Sequence, residues 1–214
     1  MSREQRIARL LLQINAVGFS FDKPIQFKSG ILSPVYVNNR ILPYHPGIWE
    51  TLIDEMTDMI DDVHIDYDVI GSVELGGVPH ASVVGFYLGK PSVIVRKQAK
   101  DHGMKEQIVG GSVKGFTVLL FEDLVTKGGS SLEAVKVLRE AGATVNDCVS
   151  IVSYCLPEAK KAFTDAQVEL HSLVSFSIII EEALKMEKIT EIQSEVLYTW
   201  HRDPHTWTKK QEAL

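Results

Sequence analysis

Residues 117–131 read TVLLFEDLVTKGGSS, and no other stretch restricts this chain so strongly. The apolar, β-prone run at 117–121 suits a parallel strand covered on both faces. Glu122 and Asp123 follow at its carboxyl end, where open α/β sheets hold their ligands. Residues 126–131 then bring hydroxyls, Lys127 and the permissive Gly128 and Gly129, ahead of a helix expected over 132–139 and stopped by Gly142. Free N–H groups at the helix start, and its dipole, favour an anion. The paired carboxylates one step upstream suit vicinal hydroxyls or a hydrated cation. Phosphate beside diol describes a ribose phosphate; the alternative is an ordinary strand-to-helix turn with a solvated acidic pair. There is no GxxxxGK[ST], and no GxGxxG follows a strand, so neither the triphosphate loop nor the dinucleotide fingerprint applies.

The 214 residues, 45% of them hydrophobic, are enough for one α/β core with a small appendage. A formal charge of −6 argues against a nucleic-acid surface, so any polyanion must meet a local cationic cluster. The run RKQAKDHGMK at 96–105 supplies one. Cys148 and Cys155 lack CxxC spacing and are expected as free thiols on opposite faces of one strand. Residues 1–14 alternate charge with apolar positions and show no cleavage site, and no later run is long enough to span a membrane. The expectation is a cytoplasmic protein without nucleic-acid or membrane partners.

In chain order, Ile7, Leu10, Leu11 and Ile14 recur at helical spacing, predicting a helix over 4–17 closed by Gly18. Residues 27–30 and 35–39 read as a turn-linked pair of short strands. Lys28 and Arg40 there present two cations to a carboxylate-bearing substrate, or are a solvated lysine and a structural arginine. Pro46 introduces a helix whose Trp49, Leu52, Ile53, Met56 and Ile60 face a core. A strand at 69–73 breaks at ELGG, 74–77, before a helix at 79–88. Gly76 and Gly77 allow close backbone approach to a pyrophosphate, or form a simple tight turn. After a strand at 92–95, the polar residues up to Gly110 and Gly111 suit a mobile lid over a polyphosphate, carried by Lys97, Lys100 and His102, or a solvated face. Strand 147–154, helix 157–166, strand 168–174 and helix 178–186 continue the alternation, and a docking tail starts at 191. Pro204 separates His201 from His205, so no metal site is expected there. His64, His80 and His171 read as structural residues without partners.

The strings FKSGILSPVYVNNR, SVELGGVP, VRKQAKDHG and FEDLVTKGGSSLEAVKVLREAGA occur in the order used by orotate phosphoribosyltransferases, and the chain resembles that family over nearly its whole length. SYCLPEAKKAF and WHRDPHTW resemble the branch common in Gram-positive-type bacteria. The resemblance implies an α/β fold of the type I phosphoribosyltransferase kind. Its parallel central sheet would be flanked by helices, as a single domain over 1–214 whose small hood comes from about 1–45 plus the C-terminal tail. It implies transfer of a phosphoribosyl group from phosphoribosyl pyrophosphate to orotate with Mg2+, in a homodimer whose loop 97–109 reaches the neighbouring site. Lys100, Asp101 and His102 would be catalytic. Arg96, Lys97, Lys100, His102, Glu122, Asp123, Leu124, Val125, Thr126, Lys127, Gly128, Gly129 and Ser130 would bind phosphoribosyl pyrophosphate, with magnesium held mainly by substrate phosphates rather than by a protein cage. Many relatives carry an Asp-Arg pair where this chain has Tyr154, Cys155, Leu156 and Pro157, so Lys28 and Arg40, with Thr126, are the expected orotate contacts. Lys127 stands where a smaller residue is usual. The rival readings are transfer to another base, such as a purine, and a phosphoribosyl pyrophosphate sensor without catalysis.

Overall fold

The structure is a computed structural model that describes residues 1–27, 30–97 and 107–212. Two units can be distinguished, Met1–His45 with Val174–Leu214 and Pro46–Leu173.

The chain opens with α1 (Arg3–Gln13), started by a capping box between Ser2 and Gln5. The helix is shorter than its periodicity predicts. Asn15 takes a positive φ of 55°, which ends the helical path, and Val17 enters strand β1 (Val17–Phe19) instead. Strands β2 (Ile25–Gln26) and β3 (Leu32–Ser33) pair with each other, whereas β4 (Val35–Val37) pairs back to β1; both ladders are antiparallel. A 3₁₀ turn, Asn39–Tyr44, follows.

The second unit begins at α2 (Pro46–Asp62) and alternates β5 (Val69–Val73), α3 (Val78–Leu88), β6 (Ser92–Val95), β7 (Ile108–Val109), β8 (Val118–Val125), α4 (Gly129–Glu140), β9 (Asp147–Ser153) and α5 (Pro157–Asp165) into β10 (Glu169–Ser175). The six strands form one sheet in the order β10-β9-β8-β5-β6-β7. β5 is parallel to β6 and to β8, and β8 is parallel to β9. Ile108 and Val109 run antiparallel to β6 at the edge, inside a stretch whose polarity had suggested only loop. The order reverses direction around β5, the first strand laid down, and ligand crevices of open α/β sheets form at such points. β5 and the first half of β8 are buried on both faces, which is why these stretches are mostly apolar. Their side chains pack with Ala134, Val135, Leu138 and Phe163 from α4 and α5.

Three helices complete the first unit: α6 (Phe176–Lys185), α7 (Glu191–Arg202) and α8 (Pro204–Glu212). Glu182 on α6 is buried and takes hydrogen bonds from Arg9 of α1 and from Lys185. The tail docks within this unit. Trp200 donates its indole N–H to the Leu32 carbonyl at 2.8 Å, while Thr208 Oγ1 accepts the Leu32 N–H at 3.0 Å. Pro204 divides α7 from α8 as its chemistry requires.

Candidate active site

The acidic pair lies within β8 rather than beyond it. Leu124 pairs with Val152 and Val125 with Ser153, so the ladder to β9 carries the strand two residues past Asp123. Glu122 is 5% exposed and gathers its own donors. Its Oε2 accepts the Ser130 hydroxyl at 3.1 Å and the Ser131 hydroxyl at 3.4 Å, and its Oε1 accepts the Asp123 N–H at 3.1 Å. Burial raises the Glu122 pKa to about 8, reinforced by the Asp123 side chain, while Ser130 acts in the opposite direction. Near neutrality the pair therefore retains a proton.

Gly128 begins α4 in the left-handed region, φ 81°, and a Cβ there would stand 2.6 Å from the Phe163 ring. Only glycine meets both conditions. The first helical bond runs from Leu132 N–H to the Gly128 carbonyl at 2.9 Å, so the N–H groups of Gly129, Ser130 and Ser131 stand ahead of the ladder, where an anion finds them. Thr126 and Lys127 are half-buried in the turn before it. Lys127 Nζ lies 3.2 Å from Glu158 Oε1 in the first turn of α5, so this unusual lysine is tied back to its own scaffold.

A cavity of about 160 Å³ adjoins the start of α4, lined by Val73, Val95, Arg96, Lys97, Ser130 and Glu133. It brings two cations from the end of β6 to the same place as the Ser130 hydroxyl. The turn at 74–77, with a cis peptide between Glu74 and Leu75, closes on β8 from α3. A Cβ on Gly76 would fall 2.2 Å from the Asp123 carboxylate, and one on Gly77 would fall 2.4 Å from the Phe121 carbonyl oxygen.

Arg96, Lys97, Glu122, Asp123, Thr126, Lys127, Gly128, Gly129 and Ser130 thus belong to one region of the sheet's second unit, with Leu124 and Val125 as the strand end between them. Arg40 is exposed in the 3₁₀ turn of the first unit. Lys28, Lys100, Asp101 and His102, and with them most of the cationic loop, lie outside the described residues. Two histidines expected to lack partners have them. His171 Nε2 sits 2.8 Å from Asp147 Oδ1, in a group completed by Glu169 whose ligand atoms lie within 4.8 Å of one another, at the start of β9 and β10. His80, fully buried in the first turn of α3, accepts the Trp49 indole N–H on Nδ1 at 2.9 Å. No local motif signals either pairing, because each joins residues more than twenty positions apart. Cys155 falls past the end of β9 and is exposed, so the two free thiols do not share a strand.

The phosphoribosyl transferase domain family matches residues 48–193. An orotate phosphoribosyltransferase of Coxiella burnetii is 38% identical over 97% of this chain and 99% of its own length. Among solved structures, orotate phosphoribosyltransferase from Aeropyrum pernix is similar with a TM-score of 0.75 and 26% identity, over 86% of this chain and 99% of that one. UMP synthase from Leishmania donovani gives a TM-score of 0.82 and 25% identity over 94% of this chain, which spans 42% of that longer protein.

Proposed function

The chain belongs to the phosphoribosyl transferase domain family and, within it, to the orotate phosphoribosyltransferases, and from that premise we infer its reaction. It is an enzyme that transfers the 5-phosphoribosyl group from phosphoribosyl pyrophosphate to orotate, giving orotidine 5′-phosphate and pyrophosphate for pyrimidine biosynthesis. The observation that carries this reading is the junction of β8 and α4. There a carboxylate pair stands one turn before a run of free helix N–H groups, and Arg96 and Lys97 line a cavity with Ser130 of that run.

In this reading the N–H groups of Gly129, Ser130 and Ser131, with the hydroxyls of Thr126 and Ser130, wrap the 5′-phosphate. Glu122 and Asp123 hold the ribose hydroxyls; the proton retained by Glu122 lets the pair act as donor and acceptor toward a diol. Arg96, Lys97, Lys100 and His102 face the pyrophosphate. As the bond from the anomeric carbon to the pyrophosphate oxygen breaks, the electron pair leaves with that oxygen and these cations stabilise the growing charge. The base nitrogen closes the new bond on the anomeric carbon and gives up its proton. Thr126 is the orotate contact of the second unit, and Lys28 and Arg40 remain the cations proposed from sequence for the orotate carboxylate.

Magnesium fits the donors present, because Glu122 and Asp123 offer hard carboxylate oxygens beside the phosphate-binding turn and this ion fills its remaining positions with water and substrate oxygens. When bound, it supplies further positive charge to the pyrophosphate. We also assign a homodimer in which the part of loop 97–109 ahead of β7 reaches the partner's site, supported by the polarity of that part. A reducing, cytoplasmic setting agrees with two free cysteines, and among the described residues no helix is long and apolar enough to cross a membrane.

The test offers the enzyme phosphoribosyl pyrophosphate and magnesium with orotate, uracil, adenine or hypoxanthine in separate reactions, and measures pyrophosphate release. Release with orotate alone is expected. Release with a purine and none with orotate would replace the acceptor while leaving the phosphoribosyl half in place.

A further inference from the structure

His80 poses a problem that the fold does not resolve. It is 0% exposed, and its Nδ1 accepts the indole N–H of Trp49 at 2.9 Å. An indole N–H can only donate, so Nδ1 carries no proton and the neutral ring must bear it on Nε2. That Nε2 is buried and has no hydrogen-bond partner among the described residues. A buried donor left unmatched is costly, and native proteins keep few of them.

The place of His80 in α3 limits what this donor can face. His80 is the third residue of α3, and helical side chains lean toward the helix N-terminus, so the imidazole lies over the turn at 74–77. The Asp123 carboxylate occupies the space where a side chain of Gly76 would stand, since a Cβ there would fall 2.2 Å from it. The negative charge of Asp123 reaches the ring and raises its pKa, yet burial dominates and lowers it to about 4. Independently of that shift, the Trp49 N–H on Nδ1 fixes the tautomer from behind and leaves Nε2–H as the donor.

We propose that His80 is a positioning residue that presents its Nε2–H to the Asp123 side of the acidic pair, so that the donor is matched when the pair engages the ribose diol. An imidazolium here would compete with magnesium and with the ring charge of the transferring sugar for the same carboxylates. A neutral N–H orients Asp123 without neutralising it. This rests on the function proposed above, and it predicts a selective defect: loss of the donor weakens use of phosphoribosyl pyrophosphate and spares use of orotate.

The test compares wild type, His80→Leu, His80→Gln and Trp49→Phe, recording steady-state kinetics with each substrate varied, thermal unfolding, and ¹⁵N NMR of imidazole-labelled enzyme. In the wild type, one histidine should show the Nε2–H tautomer, resist titration between pH 6 and 8, and shift when phosphoribosyl pyrophosphate binds. His80→Leu should lower kcat/KM for phosphoribosyl pyrophosphate about tenfold or more, as expected for one lost hydrogen bond to a charged group, with KM for orotate within about twofold. His80→Gln, which retains a donor near the Nε2 position, should recover most of that loss. If His80→Leu does not fold, Trp49→Phe keeps the imidazole but releases the tautomer, and the same selective loss is expected in smaller measure. Wild-type kcat/KM in His80→Leu, no recovery in His80→Gln, or an N–H signal indifferent to phosphoribosyl pyrophosphate each overturns the proposal. A wild-type enzyme that does not convert orotate strikes the functional reading instead, and the NMR response to phosphoribosyl pyrophosphate still decides the role of His80.

Discussion

Asp123 and Glu122 are adjacent in sequence and differ in environment, and the difference is testable. Asp123 is half-buried against a turn of bare glycines and supports little core packing. Asp123→Asn should therefore lower kcat/KM about tenfold to a hundredfold, the factor for one hydrogen bond to a charged group, with the unfolding temperature nearly unchanged. Unchanged turnover would remove Asp123 from the site. Glu122 is buried with a pKa near 8, above its ordinary 4.5, so the folded state binds more protons than the unfolded state between those values. Its contribution to stability is complete below about pH 4.5 and is lost as pH rises through about 8. His80 changes stability between about 4 and 6.5 because its pKa is lowered, so it overlaps Glu122 below pH 6.5 and leaves the range above it clear. Glu122→Gln should thus gain thermal stability relative to wild type as pH rises from 6.5 to 9, and a pH-independent difference would show that Glu122 is not held protonated. The identities of both acids, and of Gly128 and Ser130, were legible from residue type and spacing alone. The protonation of Glu122 was not, because it follows from burial and from the Asp123 side chain held against it, which only the folded packing decides.

At the scale of elements, the strand–turn–helix units were readable wherever apolar runs end in glycine, as at β5–α3 and β8–α4. Boundaries were misread where tertiary pairing or one residue's backbone decided them. β8 extends through two carboxylates because β9 supplies its ladder, and β7 forms from Ile108 and Val109 because β6 offers an edge. α1 stops early because Asn15 adopts a left-handed conformation that no hydrophobic period records. The closeness of α3 to β8 yields a paired prediction. Gly77 has an ordinary helical conformation, φ −70°, so only the Phe121 carbonyl at 2.4 Å opposes a Cβ, and Gly77→Ala should destabilise by about 1–3 kcal/mol as overpacking does. Gly47, near the start of α2, has open space around its Cβ position, and Gly47→Ala should stabilise by about 0.4–1 kcal/mol. Denaturant unfolding of both variants measures the contrast; equal effects would mean that the 74–77 turn does not rest on β8.

For the whole molecule, the mostly parallel sheet followed from the order of the βα units, while the division into two units depends on α6, α7 and α8 returning to the first 45 residues, which composition does not signal. The proposed dimer has its own test. Ile108 and Val109 are held in β7, so the polar residues between Lys97 and Gln107 are the part left to reach across an interface, about 15 Å for half of them at roughly 3.3 Å per residue. Lys100→Ala mixed with Asp123→Asn, after subunit exchange verified by mass, should regain about half the wild-type activity per hybrid dimer if Lys100 acts on its partner's site. An inactive mixture would assign Lys100 to its own subunit. The central claim, that the β8–α4 junction transfers phosphoribosyl to orotate, meets its most direct test in one cuvette: enzyme, orotate, phosphoribosyl pyrophosphate and magnesium, with the orotate absorbance followed in time. Loss of absorbance matched by equimolar orotidine 5′-phosphate and pyrophosphate, and slowed about tenfold or more in Asp123→Asn, is the predicted result; stable absorbance with wild-type enzyme shown to bind phosphoribosyl pyrophosphate would contradict it.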